Sequence, residues 1–232
     1  MSQKKVVLFI VEGHSDKTAL EKIFRKLYKN NRNITFEFTG GDITSDPEVT
    51  ADNVVDTIGK MVNKFKSDNK LSISNFFNVV QLYDMDGAFI ADDCIVEGKA
   101  GEHFIYTPTQ IITNYKPSVV DRNRHKREIM EVLIKQDKIA GIPYEHYFMS
   151  CNLDHALYGI QNLSDTEKES KAEIFAKQFQ DREQLFPEYL VSDCVCGTPD
   201  DTQNSWNYIR TDLHSLERHT NLHVYFKLHQ II

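Results

Sequence analysis

The sequence predicts an α/β fold, a mostly parallel sheet flanked by helices. Two observations carry this prediction. First, Val6 to Val11 and Val79 to Tyr83 are apolar runs that end abruptly in acid and glycine, as Glu12-Gly13 and Asp84-Met85-Asp86-Gly87. Such a run, bounded by a turn signal, reads as a strand buried on both faces. Second, the chain between them alternates helical and extended patterns. Strand, helix, strand, helix, strand over residues 5–84 implies right-handed crossovers and parallel neighbours.

In order, residues 5–11 form the first strand. Gly13-His14-Ser15 is a tight turn, with Ser15 the expected N-cap of the next helix. Ala19, Leu20, Ile23, Phe24 and Leu27 give that helix an apolar face, and Asn30 to Asn33 ends it. Ile34 to Thr39 alternates apolar and polar residues, as a strand nearer an edge does, and Gly40-Gly41-Asp42 closes it. A helix over about 50–67 carries Val54, Ile58, Val62 and Phe65, and the third strand runs from Phe76 to Tyr83. The period weakens after Gly87. Residues 88–120 hold only short strand signals (Asp93 to Val96, His103 to Tyr106), so an insertion is expected after the third strand. Asp121 to Gln136 reads as a helix, Tyr144 to Ser150 as a fourth strand, and Cys151 to Leu157 as the start of another helix. Beyond these lie a polar helix over 165–184, a short strand at Val191 to Cys196, a helix over 205–218, and a strand or packing tail at Leu222 to Leu228. This divides the chain into a core over 1–160, with the insertion at about 88–140, and a mainly helical C-terminal extension over 161–232. No repeat or low-complexity linker is present.

Bulk properties narrow the functional classes. With 27 basic and 34 acidic residues the net charge is −7, which argues against coating nucleic acid by bulk charge. Arg122 to Arg127 is a local basic run, and on a helix such a run reads first as a solvated face. No apolar stretch is long enough to cross a bilayer, and the N-terminus lacks the features of a signal peptide. The expected location is the cytoplasm. There the four cysteines, Cys94, Cys151, Cys194 and Cys196, default to thiols, and the CxC spacing of the last two is a weak zinc signal.

Chemistry concentrates at the strand ends. Acids at the carboxyl ends of buried parallel strands sit where open α/β sheets bind ligands. Adjacent strands would bring Glu12, Asp84 and Asp86 to one edge, where they repel each other unless a cation intervenes. Hard divalent ions such as Mg²⁺ take these oxygen ligands. Val11-Glu12-Gly13-His14-Ser15-Asp16 before a helix, with Asp84-Met85-Asp86 after a later strand, resembles the paired motifs of the Toprim domain found in topoisomerases, bacterial primases, OLD-family nucleases and small RNA-maturing nucleases. The resemblance covers roughly the first 90 residues. It implies a catalytic or metal-binding Glu12 and Mg²⁺ (or Mn²⁺) bound by Asp84 and Asp86. In the nuclease branch it adds Asp16 and, on a looser motif, Asp154 as metal ligands. It implies a metal-dependent nuclease acting on DNA or RNA through a two-metal site. The chain is too short for a topoisomerase and lacks primase modules. A role in phage defence beside a separate ATPase partner is the corresponding expectation, since no Walker motif is present here. No membrane partner is expected, and a homo-oligomer is left open.

Each acid also has a simpler reading. Glu12 and Asp16 sit where a helix dipole favours acids, and Asp84 and Asp86 could form an Asx turn. His14 and His155 lie near the same edge, His155 being the better phosphate contact, and Lys99 could reach phosphate if the insertion folds over. Two rival functions stand beside the nuclease. Asp84-Met85-Asp86-Gly87 also resembles the haloacid dehalogenase phosphatase motif, but Ala88 replaces its threonine and the motif sits on the third strand rather than the first. Alternatively, the domain could be a metal-stabilised binding or regulatory module.

Overall fold

The computed structural model describes residues 5–29, 33–38, 42–101, 104–195 and 197–230. Its main sheet is built from β1 (Val6–Val11), β2 (Asn33–Phe38), β3 (Phe76–Asp84), β7 (Lys138–Ile139) and β8 (Ile142–Ser150), in the order β2-β1-β3-β8-β7. The first four in that order are parallel. β7 and the short β9 (His219–Thr220) pair antiparallel with β8, so the sheet is largely parallel but mixed. A second, three-stranded sheet in the insertion comprises β4 (Ile95–Glu97), β5 (Ile105–Tyr106) and β6 (Ile111–Thr113).

Strand alternation sends side chains into two layers. Val7, Phe9 and Val11 face a cluster with α1 (His14–Leu27), α4 (Leu153–Tyr158), α5 (Asp165–Gln178), α6 (Phe186–Tyr189) and α8 (Leu222–Leu228). Val6, Leu8 and Ile10 face α2 (Val54–Asp68), α3 (Lys116–Leu133) and α7 (Thr202–Ile209). All six β1 side chains are buried, as a continuous apolar run requires. β2 lies to one side of β1 and β3 to the other, so the chain reverses direction across the sheet at β1. Ligand crevices of open α/β sheets form at this switch point.

Several sequence expectations shift. Gly13, extended at φ −128°, caps α1 in place of Ser15. α3 begins at Lys116, five residues before the expected start, because Pro117 fits the first turn of a helix. Leu190–Cys194 is a π-helical turn continuing α6 rather than a strand, and Cys196 lies outside the described residues. α7 stops at Ile209, and residues 210–218 form turns before β9. Leu222–Leu228 resolves to a helix. The signals at Asn30 to Arg32, Thr39 to Gly41 and His103 fall outside the described residues. Among the described residues, no helix is long and apolar enough to cross a membrane.

Candidate functional site

All four parallel strands are followed by acid. Asp42 stands in the loop after β2, Glu12 and Asp16 follow β1, Asp84 ends β3 with Asp86 beyond it, and Asp154 lies in the first turn of α4 after β8. These six side chains line one cleft of about 740 Å³, whose wall also includes Phe104, Tyr106, Arg122 and Lys168. The structure thus brings together all five acids singled out in the sequence and adds Asp42.

Short backbone bonds fix the acids. The Asp84 N–H donates to Glu12 Oε1 at 3.2 Å, tying the ends of β1 and β3. Asp84 Oδ1 accepts from Leu153 N–H at 2.9 Å, tying β3 to α4. Asp16 Oδ2 accepts from Gly13 N–H at 2.9 Å, so Asp16 caps its helix and also faces the cleft. Asp86 adopts φ +50°, and the adjoining Gly87 φ +66°. This left-handed turn swings the Asp86 side chain back toward α3 instead of letting it follow the strand.

Two lobes differ in how their charge is balanced. In the first, one oxygen each from Glu12, Asp42 and Asp86 lie within 4.8 Å of one another. The Lys126 ammonium already sits among them, donating to Asp42 Oδ2 at 2.6 Å and to Asp86 Oδ2 at 2.7 Å. Its side chain is fully buried. Burial alone would drive this ammonium toward neutrality, but Asp42, Asp86 and Glu12 outweigh it and raise its pKa well above the ordinary lysine value. Burial likewise pushes Asp42 upward, yet Lys126 and the Ser45 and Thr44 hydroxyls hold it well below the usual carboxylate range. Glu12 goes the other way. Burial, then Asp42, raises it well above its ordinary value against the opposing pull of Lys126.

The second lobe holds Asp16, Asp84 and Asp154. Burial raises Asp84 strongly, with Asp16 and Asp86 adding to it. Burial takes Asp16 to about 6 against the Gly13 hydrogen bond, with Asp154 adding to the rise. Asp154 also rises to about 6 through burial, partly offset by Lys168. Its Oδ1 is buried with no hydrogen-bond partner. Lys168 is the nearby cation, but it is half-exposed and pairs with Asp165 at 3.2 Å.

The basic run on α3 corrects the expectation of a solvated face. Arg124 is exposed, but Lys126 and Asn123 are buried. Arg122 donates to the Asp86 carbonyl at 2.8 Å and to the Tyr106 hydroxyl at 3.0 Å, and that hydroxyl donates to Asp86 Oδ1 at 3.2 Å. The face of α3 read as solvent-directed therefore holds the turn that carries Asp86. His155 Nδ1 accepts from Cys151 N–H at 3.0 Å, His14 lies against Glu169, and Lys99 is exposed and outside the cleft wall. Asp42 had one readable signal, an acid after a strand, but Gly40-Gly41-Asp42 also reads as ordinary loop closure. Lys126 and Tyr106 had none.

No protein-family model matches the chain, and neither curated proteins nor solved structures give a match.

Proposed function

We propose that the protein is a divalent-metal-dependent nuclease, with Mg²⁺ or Mn²⁺ held at the carboxylate cleft and a phosphodiester of DNA or RNA as substrate. The observation that carries the reading is that acids from four adjacent parallel strands line a single cleft at the switch point of the sheet. The Toprim-like order of Glu12-Gly13 and Asp84-Met85-Asp86 agrees with it.

The donor set suits a hard cation, because every candidate ligand is a carboxylate oxygen. Asp154 Oδ1, buried and unpartnered, is a lone pair waiting for a positive partner. Glu12, Asp16, Asp42, Asp84, Asp86 and Asp154 are the residues from which the ligands would come. A bound divalent ion supplies charge neutralisation at the phosphate and a more acidic water. The chain's own residues supply the rest. Glu12, held well above the ordinary carboxylate range by burial and by Asp42, is the carboxyl best placed to exchange a proton with a reacting oxygen, as a general acid or base does. Lys168 and Arg122 put positive charge on the cleft wall for flanking phosphates. Phe104 and Tyr106 give that wall an aromatic strip on which a base can stack. A separate ATPase partner and phage defence follow from the motif resemblance alone, and a cytoplasmic location remains an expectation from the sequence.

One observation favours the binding-module reading: Lys126 already neutralises part of the acid cluster without metal. Activity decides between them. Purified protein should cleave single- or double-stranded DNA or RNA with Mg²⁺ or Mn²⁺, and Glu12→Gln and Asp84→Asn should each lower the rate by about 10²-fold or more. No cleavage across a broad nucleic-acid panel, with and without candidate ATPase partners, hands the case to the binding module. Cleavage that survives both substitutions moves the active site elsewhere.

A further inference from the structure

The walls of the cleft are tied to each other and to its floor through one residue. Tyr106 lies on β5, the outer strand of the insertion sheet. Its backbone N–H donates to Asn162 Oδ1 at 2.8 Å, and Asn162 Nδ2 donates to its carbonyl at 2.7 Å. The Asn162 amide thus pairs with the strand edge as a neighbouring strand would, and joins the insertion to the segment between α4 and α5. The hydroxyl of Tyr106 donates to Asp86 Oδ1 at 3.2 Å and accepts from Arg122 at 3.0 Å. A full tyrosine side chain therefore separates Asp86 from the tie between the walls.

The space between these walls is narrow and poor in cations. Its volume of about 740 Å³ is that of clefts holding small ligands, ~300–1,000 Å³. A space of that volume is ~9 Å across if equant, less than the ~12 Å major groove of B-form DNA, which is itself only part of the duplex. Among the described residues the wall offers two cations, Arg122 and Lys168. A protein that holds a duplex by charge makes ~6–10 phosphate contacts, and two cations beside a row of acids do not replace them. What the wall does offer is aromatic. Phe104 is half-buried on the cleft wall, with the Arg122 guanidinium 4.8 Å from its ring centroid. Stacking on such a ring grips a single strand with little need of charge, because its bases are unpaired. The bases of a duplex are stacked inside it and cannot reach a ring within a cleft. The amides of Asn152 and Asn162 are spent on the protein's own backbone, which leaves stacking rather than base-edge hydrogen bonds as the grip.

We infer that the cleft takes a single-stranded segment of DNA or RNA and excludes the intact duplex, with an unpaired base stacked on Phe104. The inference rests on the nuclease reading above and narrows its substrate class.

The test compares a short fluorescein-labelled single strand of mixed sequence with the blunt duplex of the same sequence, each as DNA and as RNA. Binding to the full chain is read by fluorescence anisotropy in Ca²⁺, and cleavage in Mn²⁺, at one fixed salt concentration. In the arm whose backbone the cleft accepts, the single strand should bind about tenfold or more tightly than the duplex and be cut in preference to it. Phe104→Leu should weaken single-strand binding by about fivefold or more, and Phe104→Tyr, which keeps the ring, should restore it. Duplex bound or cut as well as the single strand overturns the inference and leaves the nuclease reading standing. Single-strand binding undiminished in Phe104→Leu overturns it too. If Phe104→Leu does not fold, as its melting curve would show, the wild-type comparison of single strand with duplex still decides. If neither form is cut, the nuclease reading fails, and the binding comparison still decides what the cleft accepts. Absence of binding to either form, as DNA and as RNA, sinks the inference.

Discussion

At Asp154 burial and charge conflict, and one oxygen has no hydrogen bond to offset them. It sits in the first turn of α4, 5% exposed, with one oxygen unbonded, and burial raises its carboxyl from 3.8 to about 6. The folded chain therefore binds this proton more tightly than the unfolded chain does. Asp154 contributes stability below about pH 4, loses it as pH rises through about 6, and leaves the fold strained by charge at neutral pH. The titratable groups facing it are Asp16 and Asp84, which repel it, Lys168, which attracts it, and the buried Tyr158 phenol. His146 and His155, both pushed down to about 4 by burial, act with the opposite sign over an overlapping range. The wild-type profile alone thus mixes the two, and the difference between wild type and Asp154→Asn isolates the carboxyl. In EDTA, the stability of Asp154→Asn relative to wild type should grow by on the order of 2 kcal/mol between pH 4 and pH 7, read by urea unfolding. A difference that is flat with pH would mean that Asp154 is solvated rather than buried. Saturating Mn²⁺ at pH 7 should reverse the ranking if Asp154 is a ligand.

At the scale of elements, the turn between β3 and the insertion decides where Asp86 points. Its backbone is held from three sides: Gly87 N–H donates to the Ser215 carbonyl at 2.9 Å, Asn123 donates to the Gly87 carbonyl, and Arg122 to the Asp86 carbonyl. Gly87 has φ +66°, and a Cβ there would stand 2.6 Å from Leu216 Cδ2 and 2.9 Å from Ile111 Cδ1, both side chains being fully buried. Gly87→Ala should therefore destabilise the fold by about 1–3 kcal/mol through backbone strain and overpacking, measured by chemical denaturation. An unchanged midpoint would show that the insertion yields easily and does not brace the site. This turn also marks the limit of what sequence alone reveals. β1, β3, β8, α1 and α2 were readable because their apolar residues follow a strand or helix period, and Glu12, Asp84 and Asp86 because acids break those periods sharply. The insertion has no period, so its three short strands were only partly visible. Asp42 was hidden by a loop-like Gly-Gly-Asp. Lys126 was hidden because a basic run on a helix normally faces water. Its partners lie 84 and 40 residues away, a juxtaposition that local pattern cannot encode.

For the molecule as a whole, the question is whether residues 161–232 form an appended unit or part of one core. The contacts favour one core. β9 pairs with β8 at Met149 and Ser150, directly before α4 and Asp154. Asn221 Oδ1 accepts from Phe148 N–H at 2.8 Å, and its amide donates to Ser205 at 3.0 Å, so the last turn bridges β8 and α7 inside the protein. Tyr225 and Phe226 pack on Phe9 and Phe24, joining the C-terminal helix to the first strand and first helix. Trp206, the sole tryptophan, packs edge-on against Tyr83 of β3 and Phe148 of β8 on the opposite face of the sheet. Removing residues 219–232 would strip Val224, Tyr225 and Phe226, all buried, from the first layer. Each large core side chain lost costs about 3–5 kcal/mol, so the sum reaches the entire stability of an ordinary domain. Unfolding of the intact chain should accordingly be a single transition, with Trp206 fluorescence and far-ultraviolet circular dichroism giving the same midpoint. The chain ending at Arg218 should show no cooperative transition by either probe. Two separated transitions, or a truncated chain that melts near the wild-type midpoint, would make the C-terminal segment an independent layer. In that case the geometry of β8, and with it the position of Asp154, could not depend on the C-terminus.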